Sequence, residues 1–553
     1  VTSSVLQQQP IKASKRVDPW ILVASFIGLF ALVPLVTLFY LGAENTGELW
    51  RHLTSSVFPT YVLNTLWLCL GVALLTSFIG TCNAWLVTRF NFPGKRWFVW
   101  GLLLPLAVPS YILAFVITDQ LEYAGFVQSS LRSIFGWQTA RDYWFPEIRS
   151  LGGAIMVLSL VLYPYVYLLA RAAFVEQAAQ LFDMSRSLGK SQSQSFFRVV
   201  LPLARPAIVV GVTLALMETL NEYGTVEFFA VPTLTAGVFD VWMNMSSLAG
   251  AAQIALMLVV LSIILLSLER ISRNAGRLYK LSGQSGAIQG VKLSGLKAAA
   301  ASLSCFTPIF LGFLLPVGVL ANYALRSLGQ PLGDYVNLAW NSISLAVLAS
   351  ILTCILGLLL AYGVRLSKSP NMRTLAESAT LGYAIPGAVL AVGIMYPMGL
   401  LDNAIDGLAQ QWFGVSTGLL ITGTSAALVL AYALRFIALS YRTLEASLSK
   451  ITPETDDASR ILGAGSTRTL WRIHVPLMRP SILTAMLLVF VDTMKELPIT
   501  LILRPFNFET LATAVWEMAS QEQLEQSALA AVTILLVGII PVILMSRNIS
   551  RRA

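Results

Sequence analysis

Apolar residues gather in runs about twenty residues long, the length a helix needs to cross the hydrocarbon core of a bilayer. They fall at 19–41, 62–88, 98–118, 151–172, 206–226 and 251–268, and again at 298–321, 340–364, 376–399, 417–439, 481–503 and 528–546. The pattern predicts an all-α polytopic membrane protein of about twelve transmembrane helices. The first run is longer than the apolar part of a usual signal peptide and no small-residue cleavage site follows it, so it reads as a span. Residues 269–297 are rich in Ser, Gly, Lys and Arg and read as a linker, which divides the chain into 1–268 and 298–553 with six spans each.

Composition agrees with this class. Hydrophobic residues make up 56% of the 553 and charged residues only 12%, about half the roughly 25% of a soluble domain. That excludes a disordered or disulfide-dense chain. The net charge of +9 comes without a basic stripe interleaved with aromatics, which argues against nucleic acid. It is explained by loops instead. Lys12, Lys15, Arg16, Lys95, Arg96, Arg186, Lys190, Arg198, Arg205, Arg270, Arg273, Arg277, Lys280, Lys368, Arg373, Arg460, Arg468, Arg472, Arg479, Arg547, Arg551 and Arg552 all fall on one side. The positive-inside rule makes that side, and both termini, cytoplasmic. Cys69, Cys82, Cys305 and Cys354 lie in apolar runs without zinc-site spacing and read as small buried hydrophobes.

The two halves repeat. Asn64-Thr65-Leu66, Gly80, Ala84 and Pro109 match Asn341-Ser342-Ile343, Gly357, Ala361 and Pro386 at an offset of 277. After a three-residue slip, Asp183, Ser185, Arg186, Leu188, Gly189, Arg198, Pro202, Leu203, Arg205, Pro206 and Ile208 match Asp457, Ser459, Arg460, Leu462, Gly463, Arg472, Pro476, Leu477, Arg479, Pro480 and Ile482 at an offset of 274, which also carries Thr219, Glu222 and Trp242 onto Thr493, Glu496 and Trp516. Six is even, so the copies run parallel, related by a pseudo-two-fold axis along the membrane normal.

The longest matching stretch is polar and cytoplasmic: Asp183-Met184-Ser185-Arg186-Ser187-Leu188-Gly189 and Asp457-Ala458-Ser459-Arg460-Ile461-Leu462-Gly463. Its spacing predicts a short exposed helix stopped by a glycine. One copy would be a solvated connector, whereas two on the same side imply a surface docked twice. Gly189-Lys190-Ser191 has Met184 where a phosphate-binding loop needs its first Gly, and no strand before it, so it is not a nucleotide site.

Each stretch, with the Leu/Val-Pro-Leu segment after it, resembles the Glu-Ala-Ala-x-x-x-Gly loop of permease subunits in bacterial ABC importers, with Asp for Glu and Ser for the second Ala. The resemblance implies a fused type I importer permease in the inner membrane. Its coupling helices, Asp183, Met184, Ser185, Arg186, Leu188 and Gly189 and then Asp457, Ala458, Ser459, Arg460, Leu462 and Gly463, would seat on two ATP-binding cassette subunits. ATP and Mg would then be bound by those partners and no cofactor by this chain, which would not itself be an enzyme. A periplasmic substrate-binding protein completes the expected set.

Acids recur within the spans at i, i+4: Glu218 and Glu222, Asp492 and Glu496, with Lys495 beside the last. Charge at such depth faces a cavity or a partner. Two readings of these five residues are compatible: an ion-pair network that closes a gate, and a path of oxygen ligands for a hard cation, with Glu222 and Glu496 as transient metal ligands and helix breaks at Gly224 and Pro498 freeing backbone groups. The segment Asp492-Thr493-Met494-Lys495-Glu496-Leu497-Pro498-Ile499-Thr500, followed by Leu503-Arg504-Pro505-Phe506, resembles ferric-iron importer permeases. Thiamine or a polyamine is the alternative cargo in that family. A secondary transporter driven by protons or sodium is the alternative class, though it would not need the repeated cytoplasmic helix. His52 and His474 are the only histidines, too few and too far apart for an intramembrane His cluster.

Overall fold

The computed structural model describes residues 19–175, 184–185, 187–277, 290–327, 334–367, 369–383 and 385–550, with the side chains of 273–277 and 545–550 excepted. Asp183, Arg186 and residues 278–289 of the linker lie outside the described residues. Among the described residues eleven helices are long and apolar enough to span, and a pair bent by 95° brings the number to twelve if it is one broken span. In chain order the first half contributes α1 (Pro19–Gly42), α2 (Phe58–Arg89), α3 (Ser110–Leu121), α4 (Leu151–Ala173), α5 (Gln192–Asn221) and α6 (Leu248–Ser272). The second contributes α7 (Gly295–Ser327), α8 (Tyr335–Ser367), α9 (Gly387–Phe413), α10 (Ser425–Leu448), α11 (Ser466–Met494) and α12 (Leu524–Leu544).

Four expected spans are broken rather than straight. The run 98–118 bends ahead of α3 because Pro109 cannot continue a helix and holds Val108 extended (ψ 118°). In the same way 376–399 divides into Pro370–Ala379 and α9, which starts after Pro386. The runs 206–226 and 481–503 stop at Asn221 and Met494 and resume as short helices, Gly224–Phe228 and Pro498–Leu503. A fifth run, 417–439, is shifted to α10. Asp402 accepts the amides of Leu420, Ile421 and Thr422, and Asp406 those of Thr417 and Gly418, so 417–422 folds as a capped loop. The linker is shorter than its composition suggests, since helix persists to Arg277 and α7 opens at Gly295. Just before α7, Val291–Lys292 pairs in parallel with Phe90–Asn91 at the end of α2.

The sequence repeats are not the packing units. One core unites α2, α3 and α4 with α7, α12 and the helix Leu511–Ser520; the other unites α8, α9, α10 and α11 with α1, α6 and the helix Leu234–Phe239. Each half thus lends its outer helices to the other, so neither buries its apolar faces alone. Within each core the same close crossing recurs. A β-carbon on Gly80 would meet Val166 Cβ at 2.7 Å and Tyr167 N at 2.9 Å, and one on Gly357 would meet Ser440 Cβ at 2.8 Å and Tyr441 N at 2.9 Å. Glycine is required where two membrane helices touch this closely. The four cysteines are free thiols, Cys305 and Cys354 buried and the other two half-buried.

The repeated Asn64-Thr65 and Asn341-Ser342 anchor the loop that leads back into each core. Asn64 donates to Pro232 O (2.9 Å) and Thr65 Oγ1 accepts from Leu234 N (2.9 Å); Asn341 donates to Glu509 O (3.0 Å) and Ser342 Oγ accepts from Leu511 N (2.7 Å). These bonds restore the 277 offset there, with Thr233 and Thr510 as equivalent helix N-caps. Trp516 therefore answers Phe239, not Trp242, and Tyr223 packs its ring against Phe239 (3.7 Å between centroids) and Trp516 (6.1 Å).

Candidate functional site

All four helix breaks open on one cavity of about 120 Å³ between the halves. Its wall takes Pro109, Ser110 and Tyr111 from the first break, Glu222 to Gly224 and Lys495 to Pro498 from the pair after α5 and α11, and Tyr383 from the fourth. Val161 on α4 and Arg435 on α10 also line it, ten residues into helices that start at Leu151 and Ser425. That is about 15 Å of helix, halfway through a core of about 30 Å. Unwound backbone at this depth is tolerated only where protein or a cavity satisfies it.

Glu222 and Glu496 supply that satisfaction, and neither lies on the helix that the i, i+4 spacing implied. Glu222 caps α5 in extended conformation (ψ 122°) and Glu496 follows the cap of α11. Glu222 Oε1 accepts Thr225 N (2.8 Å) while Oε2 accepts the Ser110 hydroxyl. Glu496 accepts Ile499 N (3.1 Å) and Thr500 N (3.3 Å). Each acid thus serves the exposed amides at the start of a short helix, where negative charge is favoured. Among the described residues no three of His, Cys, Asp and Glu are grouped so as to hold a metal ion. The expected ligand role of Glu222 and Glu496 therefore competes with the bonds that hold the breaks together.

The cations are arranged differently from the sequence expectation. Lys495 does not pair with Glu496; its Nζ lies 3.0 Å from Asp492 Oδ1. Glu496 faces Arg435 instead, at 3.5 Å, with both side chains under a tenth exposed. Arg435 also donates to Asn221 Oδ1 (3.0 Å), which accepts Gly387 N (2.6 Å), so three elements from two halves meet at one amide. Glu218 Oε1 accepts Tyr383 Oη at 3.3 Å. Arg435, Asn221, Ser110 and Tyr383 were missed in the sequence. Arg435 had a signal, as the only charge in the run 417–439; the others are ordinary polar residues until the breaks bring them together.

The repeated polar segment has the expected glycine stop where it is described. In the second half Pro453–Ile461 is a helix ended by Gly463 (φ +76°), with Ala464 N bonded back to Ser459 O (3.0 Å). In the first, Gly189 (φ +82°) and the bond Lys190 N to Ser185 O (3.3 Å) repeat that stop. Only glycine adopts such φ without strain. Ser185 meets Ser195 (3.0 Å) as Ser459 meets Thr469 (2.7 Å), both buried, which explains why a small hydroxyl recurs there. Met184, Leu188, Ile461 and Leu462 are exposed, as are Asp457, Ala458 and Arg460, and Asp457 pairs with Arg460 at 3.2 Å. A largely buried cation anchors the second helix. Arg365 at the end of α8 binds Asp456 (2.8 Å) and the carbonyls of Leu448 (2.5 Å) and Ile451 (3.0 Å), and His474 Nε2 lies 2.8 Å from the same carboxylate.

Two pseudo-symmetric bundles with exchanged outer helices, a polar cavity between them and a repeated short polar helix define a two-fold transport subunit. The chain belongs to the family described as binding-protein-dependent transport system inner membrane component, which it matches over residues 77–274 and 314–553. It is similar to the Fe(3+)-transport system permease protein FbpB 2 of Haemophilus influenzae, 26% identical over 88% of this chain and 89% of that one. The ferric transport system permease protein FbpB of Actinobacillus pleuropneumoniae is 25% identical over 86% of this chain and 69% of its own. The molybdenum transport system permease protein ModB of Escherichia coli is 29% identical over 37% of this chain and 92% of its own.

Proposed function

We propose that this chain is the membrane pathway of an ABC importer for ferric iron, delivered by a periplasmic binding protein and driven by ATP hydrolysis on two separate subunits. The observation that carries the cargo assignment is the charge of the cavity: Glu218, Glu222, Asp492 and Glu496 against Lys495 and Arg435. An excess of carboxylates in a low-dielectric site favours a cation, as the relatives named for ferric transport would need, and opposes an oxyanion. The Met184–Gly189 segment, with Asp183 and Arg186, and the Pro453–Ile461 helix are the coupling helices, and the exposed Met184, Leu188, Ile461 and Leu462 are what a partner's groove would take. Both termini lie in the cytoplasm, the side to which the Lys and Arg loops belong.

The test is reconstitution of the chain with its ATPase subunits and binding protein in liposomes, followed by uptake of radioactive iron. ATP-dependent iron accumulation is expected. Uptake of thiamine or a polyamine in place of iron rejects the cargo, and uptake driven by a proton or sodium gradient without ATP rejects the class.

A further inference from the structure

The bonds that hold the helix breaks occupy Glu222 and Glu496 but leave other oxygens in the cavity open. Glu218 takes only the 3.3 Å bond from Tyr383, and Asp492 only Lys495, so Glu218 Oε2 and Asp492 Oδ2 meet no donor among the described residues. These two acids are repeat equivalents, one from each half. The phenol of Tyr111 lines the same cavity, is 3% exposed, and its buried Oη has no hydrogen-bond partner. Buried hydroxyls are nearly always satisfied, so one that faces a cavity marks a place a ligand completes. Tyr165 and Tyr383 add two more phenols to the wall.

Carboxylate and phenol oxygens suit hard cations. The cavity of about 120 Å³ is large enough for an ion together with part of its hydration, since one water needs only about 10–15 Å³ of such space. Lys495 is the one cation held to an acid of this set, its side chain is 35% exposed, and the equivalent residue of the first half is the neutral Asn221. A flexible ammonium on a single acid is readily exchanged, unlike Arg435, which is buried and bonded on two sides.

We propose that Glu218 and Asp492, backed by the phenols of Tyr111, Tyr165 and Tyr383, form an oxygen-donor transit site for a trivalent cation, and that Lys495 is the tethered counter-ion the cargo displaces. This rests on the reading of the chain as a cation importer. The closing experiment uses terbium(III), a hard trivalent ion whose emission nearby tyrosines sensitise, on the full chain with its ATPase subunits in nanodiscs, with gallium(III) as competitor. The wild type should show sensitised emission that gallium(III) removes. Glu218→Gln with Asp492→Asn should weaken binding roughly tenfold or more, and Lys495→Met should tighten it by a similar factor, since a fixed like charge is removed. Tyr111→Phe should dim the emission without altering assembly. Opposite signs for the two charge changes separate a site effect from misfolding. Affinity indifferent to all these substitutions in a complex that imports iron overturns the site and leaves the proposed function standing. Affinity that responds as expected in a complex unable to import iron keeps the site and rejects the cargo. Weaker binding in Lys495→Met overturns the counter-ion role.

Discussion

Arg435 offers a way to convert one half of the cavity into the other. Its repeat equivalent is Val161, and the equivalent of Gly387 is Ser110. Arg435→Val removes the cation 3.5 Å from Glu496 and the donor to Asn221. Breaking a buried ion pair typically costs about 3–5 kcal/mol, and this site belongs at the lower end, about 3 kcal/mol. The pair is longer than the roughly 2.7–2.9 Å of a strong charge-assisted bond, and Glu496 retains the amides of Ile499 and Thr500. A β-carbon on Gly387 would collide outright with the Arg435 guanidinium, whereas at 2.9 Å from Glu496 Oε1 it needs only a small shift of that carboxylate. Gly387→Ser should therefore destabilise the wild type yet stabilise Arg435→Val, where the new hydroxyl serves Glu496 as Ser110 serves Glu222. A hydrogen bond to a charged group contributes about 1.5–3 kcal/mol, so the double variant should recover about half the loss or more. The assay is thermal unfolding of the four proteins in nanodiscs, read as a double-mutant cycle. Melting of Arg435→Val at the wild-type temperature, or a Gly387→Ser effect of the same sign in both backgrounds, would refute this account of how the two glutamates are satisfied.

Other consequences are simpler to check. Asp183→Arg with Asp457→Arg should leave the chain inserted but abolish co-purification of the ATPase subunits, because each coupling helix would present the wrong charge; normal co-purification counts against the docking assignment. Arg365→Ala leaves Asp456 and two carbonyls without their cation, a loss of about 3 kcal/mol or more for a largely buried pair. Hydrogen exchange should accelerate in Pro453–Ile461 and not across α2 to α4. Gly80→Val or Gly357→Val should cost at least about 1–3 kcal/mol, since the added atoms meet backbone as well as side chain, and should reduce the yield of folded protein, whereas Gly318→Val, which meets nothing within 4 Å, should not.

Run length by itself determined the class and the approximate number of crossings, because bilayer thickness and the cost of buried charge act on any chain alike. The glycines at 189 and 463 announced where the repeated short helices stop, since a positive φ leaves few alternatives. Pairing was another matter. The repeat showed that Glu222 and Glu496 correspond, but not that each ends a helix and holds the next one, which depends on where the backbone breaks. Lys495 is adjacent to Glu496 in sequence and bonds Asp492; Arg435, sixty-one residues away, is what Glu496 meets. The exchange of outer helices was equally invisible, because an apolar face does not say which neighbour it will cover. Those choices were made by tertiary packing: the membrane leaves no water to satisfy broken helices, so the fold must bring distant polar side chains to the breaks, and the cavity lies where they converge.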